Sequence, residues 1–409
     1  MTILQFIRNW QQISAILCIF LLLSAPPVQA DTALPVITIT ASQLNEHTAK
    51  SGSISVSCPD GTYLSSPAAI KYRGTYSASF TLKRNYSFHL KDENGLQRKE
   101  SLLNLRCDDD YTLLGGYSDA SRLRILTGLD LFRDAVGPAP EGRLCEVYFG
   151  PYYKGIYTLT ERPDRKSANV PRDGALYRVL TQSVDGINLL SDDVPLLPAQ
   201  GDAWYNIEKV YASDAVGWQP LERLQQFLRT ADEAAFSQHI GDYLQLSAFA
   251  DYYLFVNLTG ASDNMEKNLY LRWDGQRFSL MAWDLDAAFG RLYNAEPSDA
   301  AAWYSSALFD RLLELPAFQQ LLCERYRALR PLFLPDAVCA RFEHYADILE
   351  KSGALQREAE RFSSYTDITT GKTHQLDVRG EIDFIRSFLI CRLSLMDAAF
   401  LDAGKGSPL

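Results

Sequence analysis

The residues best suited to chemistry lie between Ala261 and Gly290. Asp263 follows a long apolar stretch, Asn268 comes five positions later, and Asp284 and Asp286 stand two apart. All four present hard oxygen donors. Phosphoryl transfer from a nucleotide needs such a set: a carboxylate to orient or deprotonate the acceptor hydroxyl, and oxygen ligands for Mg²⁺ bridging the phosphates. Alternation along an extended segment would put Asp284 and Asp286 on one side, where two carboxylates can chelate a cation. Each residue also has a structural alternative. Asp263 could cap a turn, Asn268 could sit in a loop, and Asp286 could N-cap a following helix.

The elements that must position these groups can be read around them. Asp242 to Leu258 has helical spacing of apolar residues and leads into Asp263. Asn268 to Trp273 and Phe278 to Trp283 are strand-like runs joined by Asp274-Gly275, a strong hairpin signal. The order helix, Asp-x-x-x-x-Asn, hairpin, Asp is the order of the catalytic base and metal-binding residues in protein kinases. The aromatics Tyr148, Tyr152, Tyr153, Tyr157, Trp273, Trp283 and Trp303 could stack on an adenine or a sugar, or could serve in packing.

Upstream, the pattern is β-rich. Leu34 to Ile39, Ser53 to Ser57, Ala69 to Arg73 and Phe80 to Leu90 read as strands. In the last, Phe80, Leu82, Tyr86, Phe88 and Leu90 share a face, with Arg84 on that face and Lys83 on the polar one. A helix is expected around Ser118 to Val136, stopped by Gly137-Pro138. A second hairpin is expected over Leu144 to Phe149 and Ile156 to Glu161. Downstream, Leu221 to Leu228, Ala307 to Leu315, Phe318 to Leu329, Ala337 to Leu349 and Glu381 to Leu401 have helical spacing. The expected fold class is α+β: a compact β-rich lobe over 34–165, neither sandwich nor barrel. It is packed on a mainly helical lobe over 166–409 with one embedded hairpin.

The N-terminus carries Arg8, an apolar run from Ile13 to Leu23, a Pro26-Pro27 break and Val28-Gln29-Ala30. This is the layout of a secretory signal peptide over 1–30, with a mature chain starting near Asp31. The expected location is periplasmic, cell-envelope or secreted, with no membrane span in the mature chain, since a spanning helix takes about 20 apolar residues. The hydrophobic fraction of 47% suffices for a sizeable core. The net charge of −10, without a basic run, argues against nucleic-acid binding. Of the seven cysteines, Cys18 lies in the signal; the other six permit disulfides in an exported chain, without fixing their pairing. None has CxxC spacing, which argues against a structural zinc site.

Three segments carry a resemblance. The run Asn268 to Gly290 (NLYLRWDGQRFSLMAWDLDAAFG), the stretch Tyr72 to Leu90 with its Arg73-Gly74 loop and Lys83-Arg84 strand, and the hairpin Glu146 to Asp164 resemble the hallmarks of the CotH (spore-coat protein H) kinase-like family. The final helix with Arg379, Glu381 and Arg392 fits as well. The resemblance runs from about Leu34 to Leu401. It implies an atypical kinase-like bilobal fold binding ATP with Mg²⁺ or Mn²⁺, with a protein substrate or surface partner. It implies Asp263 as the catalytic carboxylate and Asn268, Asp284 and Asp286 as metal ligands. Arg73, Lys83 and Arg84 would lie at the phosphates, and Glu161 would orient the basic residue or sit near the metal. The chain departs from the family where two lysines are usual and Lys83-Arg84 stands, and Arg is not equivalent to Lys at a phosphate. Asp119 to Arg124 matches the family's Asp followed by Arg-Asn only loosely. The activities this leaves open are a metal-dependent protein phosphotransferase, a non-catalytic kinase-like scaffold at the cell envelope, and, lowest, a carboxylate-pair glycoside hydrolase.

Overall fold

The computed structural model describes residues 33–74, 82–180 and 201–401. The expected signal segment 1–30 and part of the Tyr72 to Leu90 stretch lie outside them. The fold is α+β, as expected, but the β-rich half closes on itself. Strands β1 (Val36–Ala41), β2 (Lys50–Ser57), β3 (Tyr63–Arg73), β4 (Asn85–Leu90), β5 (Asp110–Leu114), β6 (Gly142–Phe149) and β7 (Tyr152–Glu161) form a closed barrel in the order β1-β2-β3-β4-β5-β7-β6. Neighbours are antiparallel except β1 and β6, which run parallel with Val36 opposite Glu146. The sequence reading excluded a barrel, and this corrects it. Consecutive hairpins leave β1 and β6 as edges, and pairing them satisfies both rows of backbone groups. Alternation fills the interior: Ile37, Ile39, Ile54, Val56, Ile70, Phe88, Tyr111 and Val147 form a core separate from that of the rest of the chain.

The alternation expected from Phe80 to Leu90 holds only from Tyr86 onward. β4 starts at Asn85. Before it the chain bends, leaving Leu82 at 79% exposure and Lys83 at 1%, the reverse of the expectation.

Beyond the barrel, the embedded hairpin β11 (Leu269–Trp273) and β12 (Phe278–Ala282) is the edge of a larger sheet. With β8 (Ala175–Val179), β9 (Ala203–Trp204) and β10 (Ile207–Ala212) it forms five strands ordered β12-β11-β8-β10-β9. The second half therefore holds more β structure than the single hairpin expected. Helix α1 (Arg124–Ala135) connects β5 to β6 and is buried along most of its length. Helices α2 (Gln219–Thr230), α3 (Glu233–Tyr243) and α4 (Leu246–Thr259) follow β10. The stretch read as one helix from Asp242 breaks at Leu244-Gln245, where Gln245 N donates to Phe278 O of β12 at 2.8 Å. Helix α4 is buried from Phe249 to Thr259, which makes it the central helix of the larger core, and Gly260 ends it in left-handed conformation at φ 66°. A single turn, α5 (Asp263–Glu266), precedes β11. After the hairpin come α6 (Ala307–Leu313), α7 (Pro316–Phe333), α8 (Pro335–Lys351), α9 (Ala354–Phe362), a short pair β13 (Ser364–Thr366) and β14 (Thr373–Gln375), and α10 (Val378–Phe400). Among the described residues no helix is long and apolar enough to cross a membrane. Among the described residues the six cysteines Cys58, Cys107, Cys145, Cys323, Cys339 and Cys391 form no disulfide.

Candidate functional site

The open end of the β11–β12 hairpin organises the acidic residues. The ladder ends at Leu269 opposite Ala282, and Trp283 N then donates to Asn268 O at 2.8 Å. On either side of that bond the backbone turns left-handed, at φ 53° for Asn268 and 59° for Asp284. Such angles are costly for residues other than glycine, least so for Asn and Asp. The segment after β12 is thus not extended at Asp284, which corrects the alternation argument. Leu285 points into the core against Gly128 of α1, where an added Cβ would stand 2.9 Å from Leu285 Cδ1. Asp286 lies in a turn and caps no helix.

Asp263 opens α5 and pairs with Lys267 Nζ at 3.0 Å. Electrostatics ties the acids together. Burial, and then Asp263, raise the Asp284 carboxyl above the usual range, against the pull of Arg73 and Lys267. Burial followed by the charges of Asp284, Asp263 and Asp119 pushes Asp286 well above it. These are oxygen donors short of positive charge, and a hard divalent cation suits that donor set. Among the described residues no three His, Cys, Asp or Glu side chains converge closely enough to hold an ion by themselves. Mg²⁺ usually takes only one or two protein carboxylates and fills its shell with water and phosphate oxygens. The Asp284 and Asp286 carboxylates and the Asn268 amide are donors of the type that fits Mg²⁺.

Lys83 lies in the bend before β4, with its side chain fully buried. Its Nζ donates to Glu358 Oε1 of α9 at 2.7 Å. Arg122 Nε donates to the same oxygen at 2.8 Å, and Ile156 N donates to Glu358 Oε2 at 2.7 Å. One carboxylate thus serves two cations. Burial lowers the Lys83 ammonium to about 7, because Glu358 offsets only part of the desolvation and Arg122 repels it. Glu358 faces Lys83 and Arg122 together and stays low despite its burial. The pair fits because β7 is bare at Gly155 (φ 106°). A Cβ there would meet Glu358 Oε2 at 2.2 Å and Lys83 Cε at 2.9 Å. Asp119 contributes to the fields at both Lys83 and Asp286. It is itself buried, held by Arg124, whose other nitrogens reach Glu381 Oε2 at 2.6 Å and Ala288 O at 2.9 Å.

The remaining expected residues distribute as follows. Arg73, at the end of β3, donates to Thr112 Oγ1 at 3.2 Å and stacks 5.1 Å over the ring of Trp283, within the field of Asp284. Burial lowers its guanidinium, and Tyr270 and Asp284 oppose that shift. Trp283 is therefore adjacent to the acidic end of the hairpin. Arg84 turns away from Lys83 and stacks 4.7 Å over Tyr72. Glu161 does not orient Lys83. Its carboxylate accepts from Arg106 N at 3.2 Å and Glu141 N at 3.3 Å, bracing the end of β7. Of the aromatics, Tyr157 is core, whereas Tyr152 and Trp303 are exposed.

Glu358, Lys267, Gly155 and Asn264 escaped the sequence reading. Only Glu358 left a signal: Ala354, Glu358 and Phe362 recur every four residues as a buried row, so a glutamate occupies an apolar stripe position. A family model described as CotH kinase protein matches residues 70–396. No curated protein matches the chain.

Proposed function

The chain belongs to the CotH kinase family, and from that premise we propose that it transfers phosphate from a nucleotide to protein hydroxyls with the help of a divalent cation. What carries the reading is a run of hydrogen bonds from Lys83 through Glu358, Arg122, Asp119 and Arg124 to the carbonyl of Ala288, two residues past Asp286. The buried Lys83–Glu358 pair and the acidic end of the hairpin thereby border one region. A lysine–glutamate pair beside a base and metal-binding acids is the arrangement by which protein kinases hold phosphates. A glycoside hydrolase has no use for it.

In this reading the barrel is one lobe and the helices with the five-stranded sheet the other. ATP is the nucleotide, with Mg²⁺ or Mn²⁺. Lys83, held by Glu358, faces the phosphates, and Arg73 supports them from the end of β3. Asn268, Asp284 and Asp286 hold the cation, which when bound neutralises the phosphate charge. Asp263 accepts the acceptor hydroxyl proton, and needs to approach that oxygen to about 2.6–3.2 Å or through one water. Lys267 orients it meanwhile. Arg84 and Glu161 have structural roles. The signal-like N-terminus supports action outside the cytoplasm on a protein substrate or surface partner.

The test is calorimetry and radiolabelled-nucleotide transfer on wild type and three variants. Asp284→Asn and Asp286→Asn should weaken cation-dependent nucleotide binding about tenfold or more, since each removes a charge that neutralises the cation. Asp263→Asn should bind nearly as wild type and transfer nothing. Wild type that binds no nucleotide with either cation replaces this reading with a non-catalytic scaffold.

A further inference from the structure

We propose that Asn264, next to Asp263 in sequence, is a positioning residue that sets the spacing of Asn268 and Asp284. The inference rests on the phosphotransferase reading, because it assigns those two residues to the cation. Asn264 is 1% exposed. Its Nδ2 donates to Asn268 O at 2.9 Å and to Trp283 O at 2.8 Å. Those carbonyls belong to the two chains leaving the hairpin, so one amide ties both at the point where the β11–β12 ladder has ended.

The tie is needed there. Asn268 and Asp284 both sit at positive φ, a left-handed backbone that residues other than glycine adopt only at a cost. No ladder bond continues past Trp283 to hold them. The other end of the amide shows what Asn264 is kept for. Its Oδ1 is buried without a protein partner, a desolvation cost that a smaller or apolar residue would avoid. The two-donor end is what compensates. The turn is anchored from below as well, since the Tyr252 hydroxyl of α4 donates to Asn264 O.

Spacing of ligands matters more to Mg²⁺ than to Ca²⁺. Mg²⁺ demands near-octahedral geometry at about 2.0–2.1 Å, whereas Ca²⁺ accepts a variable shell at about 2.3–2.6 Å. Loosening the hairpin end therefore discriminates between them. A purely structural amide provides the comparison: Asn257, also fully buried, donates from Nδ2 to Tyr253 O and Tyr304 O, both at 3.0 Å.

The experiment measures ADP binding by calorimetry with Mg²⁺ and, separately, with Ca²⁺, on the full chain. The proteins are wild type, Asn264→Asp, Asn264→Ser, Asn264→Ala and Asn257→Ala, each checked for folding by thermal melting. Asn264→Asp keeps the volume and Asn264→Ser keeps one donor, so a folded variant remains where alanine fails. The aspartate and alanine variants should lose about tenfold or more with Mg²⁺ and less than about threefold with Ca²⁺, with serine between. Asn257→Ala should leave the Mg²⁺/Ca²⁺ ratio unchanged. A ratio unmoved in the folded Asn264 variants, or moved equally by Asn257→Ala, overturns the proposal and leaves the phosphotransferase reading standing. Wild type that binds ADP with neither cation overturns both.

Discussion

Glu358 accepts a 2.7 Å hydrogen bond from Lys83 across 275 residues of chain, and both side chains are wholly buried. The contact joins the barrel to a helix from the far half of the sequence. Arg122 and the Ile156 amide complete the shell of that carboxylate. Removing Glu358 therefore leaves two buried cations facing each other, whereas removing Lys83 leaves a carboxylate that still has two partners.

That asymmetry is measurable. Glu358→Gln should destabilise by about 3–5 kcal/mol, the cost of leaving buried charge uncompensated. Lys83→Met should cost clearly less, and Lys83→Met with Glu358→Leu should recover part of the loss. Urea unfolding of the three variants checks the order. Equal losses for the two single variants would mean that Arg122 does not share the carboxylate.

Gly155 makes the pair possible. Gly155→Ala brings a Cβ to 2.2 Å from Glu358 Oε2 at a φ of 106°, so the pair must separate. The expected loss is on the order of 3 kcal/mol. Gly150→Ala, at φ 53° with nothing within 4 Å, meets only backbone strain and should cost about 1–2 kcal/mol. Comparable losses at the two glycines, again by urea unfolding, would contradict the close approach.

The Lys83 ammonium gives stability a pH dependence of known sign. Its pKa falls from 10.5 in the unfolded chain to about 7 in the folded one. Between those values the unfolded chain holds a proton the folded chain has shed, so this group's contribution to stability rises with pH across that window. The slope it adds is at most roughly 1.4 kcal/mol per pH unit. Unfolding free energies from pH 7 to 10 should climb more steeply for wild type than for Lys83→Met. Parallel curves would show that the lysine remains charged throughout.

What was legible in the sequence divides along local lines. The hairpin over Leu269 to Ala282 announced itself through Asp274-Gly275, and the buried helix before it through its apolar content. Asp263, Asn268, Asp284 and Asp286 stand out as candidates because the chain carries them within one short segment. Closure of the barrel was not legible, because the β1–β6 pairing joins Val36 to Glu146 and no turn signal connects them. The bend at Leu82 reversed the burial of Lys83, since alternation describes a strand only where a strand exists. The resemblance implies Glu161 at the basic residue or near the metal, but Glu161 braces the end of β7, and the carboxylate that meets Lys83 is Glu358 of α9, brought there by tertiary packing.

Asp286 offers the sharpest link between stability and site chemistry. Burial and three neighbouring carboxylates raise its pKa well above 3.8. In the window above 3.8 the folded chain keeps a proton the unfolded chain releases, so the group's contribution to stability is lost as pH rises. At neutral pH without cation, Asp286 should therefore be a burden that Asp286→Asn removes, keeping the shape and an oxygen acceptor for Ala287 N. The variant should melt about 2–4 °C higher than wild type at pH 7.5, and the gap should narrow as pH falls toward and below 3.8, where the unfolded chain takes up the proton as well. Addition of Mg²⁺ with ADP should reverse the order, raising the melting temperature of wild type and barely that of the variant, because ligand stabilisation follows affinity for the folded chain. Thermal melts at the two pH values, with and without Mg²⁺ and ADP, decide it. A variant that melts below wild type at pH 7.5 without cation would show that Asp286 stabilises the fold, and its assignment to the cation would fall.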